Sequence, residues 1–423
     1  MKIKTKQMDF EAVMKLPRRT HKNPKRPNIL FRSIVRVAAA GDLKDANFTF
    51  TEERMDLVKD EPCLILMNHS SFIDLEIVSK VMYPKPYCIV CTSDGFVGKE
   101  WLMRQIGCIP TNKVVTDVSL ISDMKYALNK LNCSVLMYPE ASYSFDGTPT
   151  PLPRRLGVLL KHLKVNVVSI STKGAFTRDP LYNCLQKRKI NVSATIKCLF
   201  TKEELREKSV EELDQILDQE FTFDHFRWQF ENNIQTPETF RADGLNRILF
   251  KCTNCNHEGQ MKGMGTQLTC QSCGETWELS SLGQLSSSKN QTKFSHIPDW
   301  YAWQRQSIKE SIQDGTYQLD TDVTIGMLVD YKAIYMVGDG HLKHDENGFV
   351  LDGCGGRLHY EQSPESSYSL YSDYFWYELG DIICIGTNDV LYYCFPKQPD
   401  VVARTRIAAE ELFKLKHRDR RAK

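Results

Sequence analysis

The sequence predicts an α/β protein with a mostly parallel sheet flanked by helices, followed by a small cysteine-rich module and a β-rich C-terminal region. Three observations support this fold class. Short apolar runs alternate with helical patterns over residues 62–200, two Cys-x2-Cys pairs lie within residues 250–280, and aromatic runs separated by turn residues fill 320–417. Alternation of strand-like and helix-like segments is typical of the crossover units that build parallel sheets.

Length and composition restrict the class of protein. A chain of 423 residues is expected to hold two or three domains at about 150 residues each. Hydrophobic residues make up 41% and charged residues 26%, which excludes a disordered chain. The longest apolar run has six residues, 390–395. A membrane-spanning helix needs roughly 20, so no transmembrane segment is expected.

The charge of the chain is unevenly distributed. The 55 Lys and Arg nearly cancel the 53 Asp and Glu, and this balance disfavours a nucleic-acid partner. The first 44 residues nevertheless hold twelve basic and three acidic residues. Within them, residues 28–41 predict an amphipathic helix. Its apolar positions at helical spacing are Leu30, Phe31, Ile34, Val35 and Ala38.

A basic segment beside an apolar helix face fits an anionic membrane surface, to which the protein would bind peripherally. The alternative is a helix packed on its own domain with its charges in solvent. Fourteen cysteines are dispersed along the chain, often inside apolar runs, which indicates free thiols in a reducing compartment. We therefore expect a cytoplasmic protein at the inner face of the membrane.

The α/β region has identifiable elements in order along the chain. The strand-like runs are 63–67, 87–91, 135–138 and 165–171. The helix-like runs are 72–82, 99–106, 119–131 and 156–163. Two capping-box patterns then open helices at Thr201 and Ser209 in an acidic connecting region. After the cysteine pairs come a polar linker at 280–293 and a helix ending near Gln313.

A histidine and an aspartate follow the first predicted strand, in Asn-His-Ser-Ser-Phe-Ile-Asp at residues 68–74. Ligands of open parallel sheets bind where strands end and helices begin. His69 can accept a proton near neutral pH, and Asp74 can orient the ring if His69 lies in the loop and Asp74 in the first helical turn. The alternative interpretation is that Asp74 only stabilises the helix start and His69 is an ordinary loop residue.

The order of segments resembles the glycerophospholipid acyltransferases, which include the 1-acylglycerol-3-phosphate acyltransferases. Residues 68–74 resemble the first motif of that family. Gly-Cys-Ile-Pro-Thr-Asn-Lys at 107–113 is similar to the second motif and Tyr-Pro-Glu-Ala-Ser at 138–142 to the third, while 165–170 occupy the place of the fourth. The resemblance covers about residues 30–200.

The resemblance implies transfer of a fatty acyl chain from acyl-CoA or acyl carrier protein to a lysophospholipid hydroxyl, that of 1-acylglycerol-3-phosphate, in phospholipid synthesis. It implies that His69 is the general base and that Asp74 orients its ring. It further implies that Lys113 holds the acceptor phosphate and that Glu140 supports its loop. The substrate-binding set that it implies is Asn112, Lys113, Glu140, Ala141 and Ser142.

Three residues depart from the family pattern, and the fourth segment lacks the family's proline. Lys113 and Tyr143 stand where arginine is usual, and Ala141 replaces a glycine. A lysine keeps the charge of arginine but loses its bidentate fork for phosphate. These changes affect the predicted acceptor head group more than the predicted reaction. A catalytically weak or inactive lipid-binding scaffold is therefore an alternative function.

The two cysteine pairs predict a zinc ribbon. Cys252 and Cys255 form one pair, Cys270 and Cys273 the other, with fourteen residues between the pairs. Four thiolates complete a tetrahedral zinc shell without an open position, so one structural zinc per chain is expected. The alternative is four unpaired thiols. Residues 245–283 carry three basic and three acidic residues, so a protein-contact role is favoured over nucleic acid, and a zinc-ribbon adaptor protein is a further alternative function.

The predicted organisation has four parts. They are a basic segment with an amphipathic helix at 1–44, an acyltransferase-like α/β domain at 45–240, a zinc ribbon at 245–283, and a linker helix with a β-rich domain at 295–423. Aromatic-rich strands with polar turns predict a small antiparallel sheet or barrel in the last part. A final helix from 401 to about 416 makes this part similar in outline to a pleckstrin-homology-like module.

Overall fold

The N-terminal residues contribute to two different parts of the fold. The computed structural model describes residues 2–113, 118–153 and 155–421. Its first elements are strand β1 (Thr5–Gln7) and helices α1 (Phe10–Met14) and α2 (Ile29–Asp45). The side chain of Asn28 accepts a hydrogen bond from Leu30 N–H at 2.8 Å and so starts α2. This helix continues beyond the predicted end at residue 41.

A mostly parallel sheet forms the α/β region, as the sequence predicts. Among the described residues it has seven strands in the order β2-β8-β7-β3-β6-β4-β5, and only β7 and β8 run antiparallel. Its strands are β2 (Thr49–Glu53), β3 (Leu64–Met67), β4 (Tyr87–Thr92), β5 (Cys108–Thr111), β6 (Ser134–Met137), β7 (Val167–Lys173) and β8 (Ser193–Phe200). The helices between them are α3 (Ile73–Val81), α4 (Glu100–Gln105), α5 (Val118–Asn129), α6 (Leu156–Leu163) and α7 (Ala175–Arg178).

Strand β3 is central and buried on both faces of the sheet. Ile65 and Met67 face the core that includes residues of α2 and α3. Leu64 and Leu66 face the opposite core. Side chains alternate along a strand, so a sheet covered on both faces needs an unbroken apolar run, which β3 has.

Three helices follow the sheet. They are α8 (Lys202–Glu207), α9 (Val210–Glu220) and α10 (His225–Glu231). Both predicted capping boxes are formed: Thr201 with Glu204 opens α8, and Ser209 with Glu212 opens α9. Each box satisfies two N–H groups at the helix start.

The cysteine-rich module is a four-stranded antiparallel sheet. Its strands are β9 (Met261–Met264), β10 (Gln267–Cys270), β11 (Thr276–Leu279) and β12 (Leu285–Ser287). The last strand lies where the sequence predicts a polar linker. Helix α11 (Ile297–Gln313) follows, and its Trp300 packs edge-to-face on Trp277 of β11, with ring centres 4.9 Å apart. The ribbon and α11 therefore share one apolar core.

The C-terminal part is the predicted antiparallel β-rich region, closed by a helix. Its strands are β13 (Leu319–Leu328), β14 (Ile334–Asp345), β15 (Gly348–Gly353), β16 (Leu358–Gln362), β17 (Tyr371–Trp376), β18 (Gly380–Gly386) and β19 (Leu391–Pro396). Helix α12 (Val401–Arg421) packs on this sheet through Ile407, Ala408 and Leu412.

Strand β1 pairs in parallel with β14, with Thr5 opposite Ile334. The N-terminal residues thus extend the C-terminal sheet, a pairing that the predicted boundary at residue 44 does not anticipate. None of the helices in the described ranges is long and apolar enough to cross a membrane.

Candidate functional site

The loop after β3 carries the predicted catalytic histidine. β3 ends at Met67 and α3 begins at Ile73, so His69 lies in the connecting loop and Asp74 in the first helical turn. The side chain of His69 is 13% exposed and that of Asp74 is fully buried. This is the carboxyl edge of a parallel strand, the edge at which such sheets bind ligands.

Asp74 is the acceptor around which this loop folds. Its Oδ2 atom accepts hydrogen bonds from the backbone N–H groups of Ser70 at 2.8 Å and Ser71 at 3.1 Å. The same oxygen lies 3.1 Å from Nδ1 of His69. An ionised carboxylate can only accept, so Asp74 in this form places the proton on Nδ1 and leaves Nε2 as the basic nitrogen.

Glu140 joins the loop to the segment after β6. Its Oε2 accepts from the backbone N–H of His69 at 3.0 Å, and its Oε1 accepts from Thr150 N–H at 2.9 Å. The backbone N–H of Ser144 donates to the carbonyl oxygen of His69 at 3.1 Å. Glu140 is buried and both of its oxygens are engaged, so its contacts are those of a loop support.

Two tyrosines enclose the imidazole. The ring of Tyr138 lies 3.9 Å from the ring of His69 and that of Tyr143 lies 3.8 Å from it, at interplanar angles of 22° and 27°. Two nearly parallel rings at these distances lie on opposite faces of the imidazole. With both faces covered and Nδ1 bonded to Asp74, a substrate can reach His69 only at the edge that carries Nε2.

Burial and charge shift the proton affinities of these groups. Burial lowers the pKa of His69 well below its ordinary value, and the positive charge of Lys113 lowers it further. Burial raises the pKa of Glu140 to about 7. Burial raises the pKa of Asp74, while the backbone N–H groups of Ser71 and Ser70 lower it and favour the carboxylate form. His69 is therefore a neutral base at pH 7.

Ala141 of the third motif has a backbone conformation that is typical of glycine. This residue has φ of +54°, a left-handed conformation that costs a residue with a Cβ about 1–2 kcal/mol. Its N–H donates to the carbonyl of Tyr138 at 3.0 Å. Within the part of the chain that the structure describes, the N–H of Ser142 has no acceptor. A backbone N–H without an acceptor is able to donate to a developing oxyanion.

Asn112 and Lys113 lie where the C-terminal sheet meets the α/β domain. The Asn112 amide donates to the Asn388 carbonyl at 3.0 Å and accepts from Ser93 Oγ at 2.7 Å, so protein partners occupy it. The ammonium of Lys113 lies 4.4 Å from the ring centre of Tyr371. No carboxylate among the described residues lies within 4 Å of it, so its charge is available to a ligand.

The C-terminal sheet also contacts Asp94, which follows β4. Oδ2 of Asp94 accepts from the Tyr371 hydroxyl at 2.8 Å and from the Trp376 indole N–H at 2.9 Å. These partners are 277 and 282 residues away along the chain. The β-rich region thus covers the side of the site that holds the second motif, which no local sequence pattern indicates.

His225 is a second buried histidine at the site that sequence reasoning missed. Its Nε2 lies 3.2 Å from Oγ of Ser70, and Asn68 donates to the same hydroxyl at 2.8 Å. Its ring stacks on Phe176 with centres 5.4 Å apart. Burial lowers the pKa of His225 to about 4, so the ring is neutral and holds Ser70 in place. No motif around His225 signals this role.

The four cysteines of the ribbon converge. Their Sγ atoms all lie within 4.8 Å of one another. Cys252 lies 3.7 Å from Cys273, and Cys255 lies 3.7 Å from Cys270. A tetrahedral zinc with Zn–S bonds of about 2.3 Å requires S–S edges of about 3.8 Å, so this thiol set fits the metal and could hold it.

Comparison with known proteins bears on the α/β domain. Residues 48–173 match the family model described as Acyltransferase. This match covers less than half of the chain, and we call the matched residues 48–173 the acyltransferase-family domain. The match confirms the resemblance drawn from the four sequence segments, and the acyltransferase-family domain contains His69, Asp74, Lys113 and Glu140.

The solved structures similar to part of this chain include the 1-acyl-sn-glycerophosphate (LPA) acyltransferase PlsC from Thermotoga maritima. The alignment covers 46% of this chain and 81% of that protein, at 14% identity and a TM-score of 0.31. The search of curated proteins gives no match.

We predict that His69 titrates below pH 6.5 and that Lys113→Gln raises its pKa. Burial and the Lys113 charge both disfavour the imidazolium, so removing the charge removes one of these two effects. The measurement is an NMR titration of the imidazole. Lys130→Gln, at an exposed position, is the matched control and should leave the titration unchanged. An unshifted His69 in Lys113→Gln would contradict the electrostatic contact.

Proposed function

We propose that this protein transfers a fatty acyl chain from a thioester, acyl-CoA or acyl carrier protein, to the free hydroxyl of 1-acylglycerol-3-phosphate. The observation that carries the proposal is the His69–Asp74 pair at the carboxyl edge of the sheet, inside an acyltransferase-family domain. A neutral imidazole whose Nδ1 is bonded to a carboxylate has the tautomer needed for general base catalysis at Nε2.

In this mechanism, Nε2 of His69 takes the proton of the acceptor hydroxyl while the oxygen attacks the thioester carbonyl. The new C–O bond gives a tetrahedral oxyanion, for which Ser142 N–H is the donor; one such donor is typically worth about 3 kcal/mol. The C–S bond then breaks, and the imidazolium returns its proton to the thiolate. Asp74 stabilises the imidazolium between these steps, and no covalent enzyme intermediate forms.

We predict that His69→Ala abolishes acyl transfer and that Asp74→Asn reduces kcat by about 100-fold or more, because loss of a general base or of its correct tautomer costs typically 10²–10⁴-fold. Transfer of a radiolabelled acyl chain by purified protein measures this. His162→Ala, at an exposed histidine of α6, is the control and should retain full activity.

A second candidate function, a lipid-binding scaffold, is favoured by one observation: only 13% of the His69 side chain is exposed, between two tyrosine rings. The same assay separates the two functions. Native protein that binds lipid vesicles but transfers no acyl chain, with several glycerol acceptors, would support the scaffold. Activity that survives both substitutions would refute the catalytic pair.

We further propose that α2 places the enzyme on an anionic membrane surface, at the cytoplasmic face where acyl thioesters are found. Leu30, Ile34 and Val37 are each more than half exposed along one side of α2, and so is Trp101 of α4. Phe31 connects the two helices, since its ring lies 5.8 Å from that of Trp101. We call these five residues the apolar patch.

Cationic side chains near the apolar patch complement an anionic surface. Lys25, Arg26 and Arg36 are exposed, and the guanidinium of Arg36 lies 4.2 Å from the ring of Tyr83. On the other side of α2, Ala39 and Leu43 are buried in the α/β core. The helix is thus anchored to its domain on one side and unpartnered on the other, which suits insertion into a lipid interface.

We predict that Ile34→Asp combined with Val37→Asp lowers vesicle binding by about 10-fold or more, because each substitution removes apolar area worth about 1.5–3 kcal/mol when buried and adds a negative charge. Co-sedimentation with vesicles containing anionic lipid measures it. Val158→Asp, at a partly exposed apolar position on α6, is the control. Equal binding of the double variant and wild type would contradict the membrane assignment.

We propose that the metal of the four-cysteine cluster is one structural zinc per chain. The thiol geometry fits tetrahedral coordination, and all four ligand positions are taken by protein, which leaves none for substrate. Bound zinc would hold the two hairpin turns of the ribbon together, close to the core shared with α11.

We predict that purified protein contains one zinc per chain and that Cys252→Ser lowers both zinc content and melting temperature, because zinc binding stabilises small ribbons by several kcal/mol. Elemental analysis and thermal unfolding measure this. Cys184→Ser, a half-buried cysteine outside the cluster, is the control. Metal-free wild type with a normally folded Cys252→Ser variant would refute the zinc site.

A further inference from the structure

His225 contacts the catalytic loop from outside the acyltransferase-family domain. It is the first residue of α10, is 2% exposed, and lies 155 residues after Ser70 along the chain. Its Nε2 atom is 3.2 Å from the Ser70 hydroxyl, which accepts from the Asn68 amide at 2.8 Å. The Ser70 hydroxyl is thereby fixed between two polar side chains, and its own proton can go to Nε2 of the neutral ring.

The backbone N–H of Ser70 continues these contacts to the catalytic pair. It donates to Oδ2 of Asp74 at 2.8 Å, and the same oxygen lies 3.1 Å from Nδ1 of His69. Ser70 and Asp74 thus connect His225 to the catalytic imidazole. A displacement of Ser70 would change the geometry of the carboxylate that orients this imidazole.

The backbone of His225 holds the second segment that borders His69. Its N–H donates to the carbonyl of Gly147 at 2.9 Å. Gly147 N–H donates to Oγ of Ser144 at 3.0 Å, and Ser144 N–H donates to the carbonyl of His69 at 3.1 Å. His225 therefore ties the first-motif loop, through its side chain, to the segment after the third motif, through its main chain.

Helix α10 is positioned by the junction between the ribbon and α11. Asp224 caps α10, and its Oδ2 lies 2.7 Å from Nε2 of His296, the residue that precedes α11. Further along α10, the Gln229 amide donates to the carbonyl of Ser281 at 3.0 Å, in the turn between β11 and β12. The helix that carries His225 is thus bonded to the ribbon and to the start of α11.

Gly283 lies in the same turn and leaves no room for a side chain. A Cβ at this position would lie 2.8 Å from the side-chain oxygen of Gln229 and 2.9 Å from the ring of Phe226. Phe226 follows His225 directly in the chain. A larger residue at 283 would therefore push against the part of α10 that contacts the catalytic loop.

We propose that His225 is a positioning residue of the catalytic histidine, and that the ribbon sets the position of His225 by holding α10. This inference rests on the proposed function and adds to it a residue and a module outside the acyltransferase-family domain. Displacement of a catalytic group by 1 Å can cost about 100-fold in rate. His225 and the ribbon are therefore expected to affect the chemical step and not the binding of substrate.

The kinetics of two His225 variants test the positioning role. His225→Leu removes the polar contact with Ser70 and should lower kcat by about 10-fold or more at unchanged KM, because the base is displaced and the substrate is not. His225→Gln, whose amide can replace Nε2 as the partner of Ser70, should keep most of the rate. In a Ser70→Ala background, His225→Leu should cause no further loss, since the contact through which it acts is already gone.

Two glycines test the contribution of the ribbon. Gly283→Ala places a Cβ against α10 and should lower kcat by about 3-fold or more at unchanged KM, as a smaller displacement of the same base. Gly259→Ala is the matched control and should keep the wild-type rate. Both glycines lie in the ribbon at positive φ, +75° and +68°, but a Cβ at 259 meets none of the described residues within 4 Å. The two variants therefore carry similar backbone strain and differ in the contact with α10.

The ring proton of His69 gives a readout that needs no acyl transfer. In wild type, Nδ1–H bonds to Asp74, so its proton NMR signal should lie far downfield and exchange slowly with water. The signal should broaden or disappear in His225→Leu and Gly283→Ala, and persist in His225→Gln and Gly259→Ala. Thermal unfolding of every variant reports its folding. If His225→Leu does not fold, Gly283→Ala and its control decide the question by kcat and by this signal.

Three results would overturn the inference. They are a His225→Leu variant with the kcat and His69 signal of wild type, a His225→Gln variant that loses as much as His225→Leu, and equal effects of Gly283→Ala and Gly259→Ala. The second result would make His225 a purely structural contact of α10. A native protein that transfers no acyl chain, yet loses the His69 signal in His225→Leu, would refute the proposed function and leave the link between His225 and the imidazole standing.

Discussion

The carboxyl group of Asp74 is the constraint on which the candidate active site depends. Its Oδ2 atom accepts from the backbone of Ser70 and Ser71 and from the ring of His69, so a single oxygen sets both the path of the loop and the tautomer of the imidazole. Asp74 is fully buried, and breaking these bonds would leave polar groups without partners. The loop therefore has one favoured conformation, in which Nε2 points away from the carboxylate.

The residues around this pair hold the imidazole in one position and restrict access to it. Glu140 ties the loop to Thr150, and Tyr138 and Tyr143 cover both faces of the ring. Burial keeps the imidazole neutral and removes water from it, which strengthens each electrostatic contact in the site. It also leaves only the edge of the ring that carries Nε2 open to approach.

Residues from outside the acyltransferase-family domain also pack against the second and third motifs. Tyr371 and Trp376 of the C-terminal sheet bond to Asp94, and Arg406 of α12 bonds to the Tyr143 carbonyl. The ribbon and α11 share a core with this sheet, as Trp277 and Trp300 show. The ribbon, α11, the C-terminal sheet and α12 thus form part of the surroundings of the site. A change in their packing would alter the positions of the second and third motifs.

Much of this protein follows from local sequence. The alternating apolar runs predicted the parallel sheet because a strand covered on both faces must be apolar throughout, and the capping boxes at Thr201 and Ser209 predicted two helix starts because they bond within four residues. The spacing of His69 and Asp74, and that of the two cysteine pairs, predicted which side chains lie close together. The reason is the same, because these side chains are held together by one turn or one hairpin. Strand β1 was not predicted, because its three exposed residues carry no apolar pattern and because its partner β14 lies far away along the chain.

The sequence by itself determined the elements of the α/β domain, the loop that can join His69 to Asp74, and the thiol set of the ribbon, since each depends on neighbours in the chain. Only the tertiary structure decided that Tyr143 covers the imidazole, that His225 holds Ser70, and that Arg406 reaches the third motif. These contacts join residues far apart in the chain, and their geometry depends on how whole layers pack, which no local pattern of residues encodes.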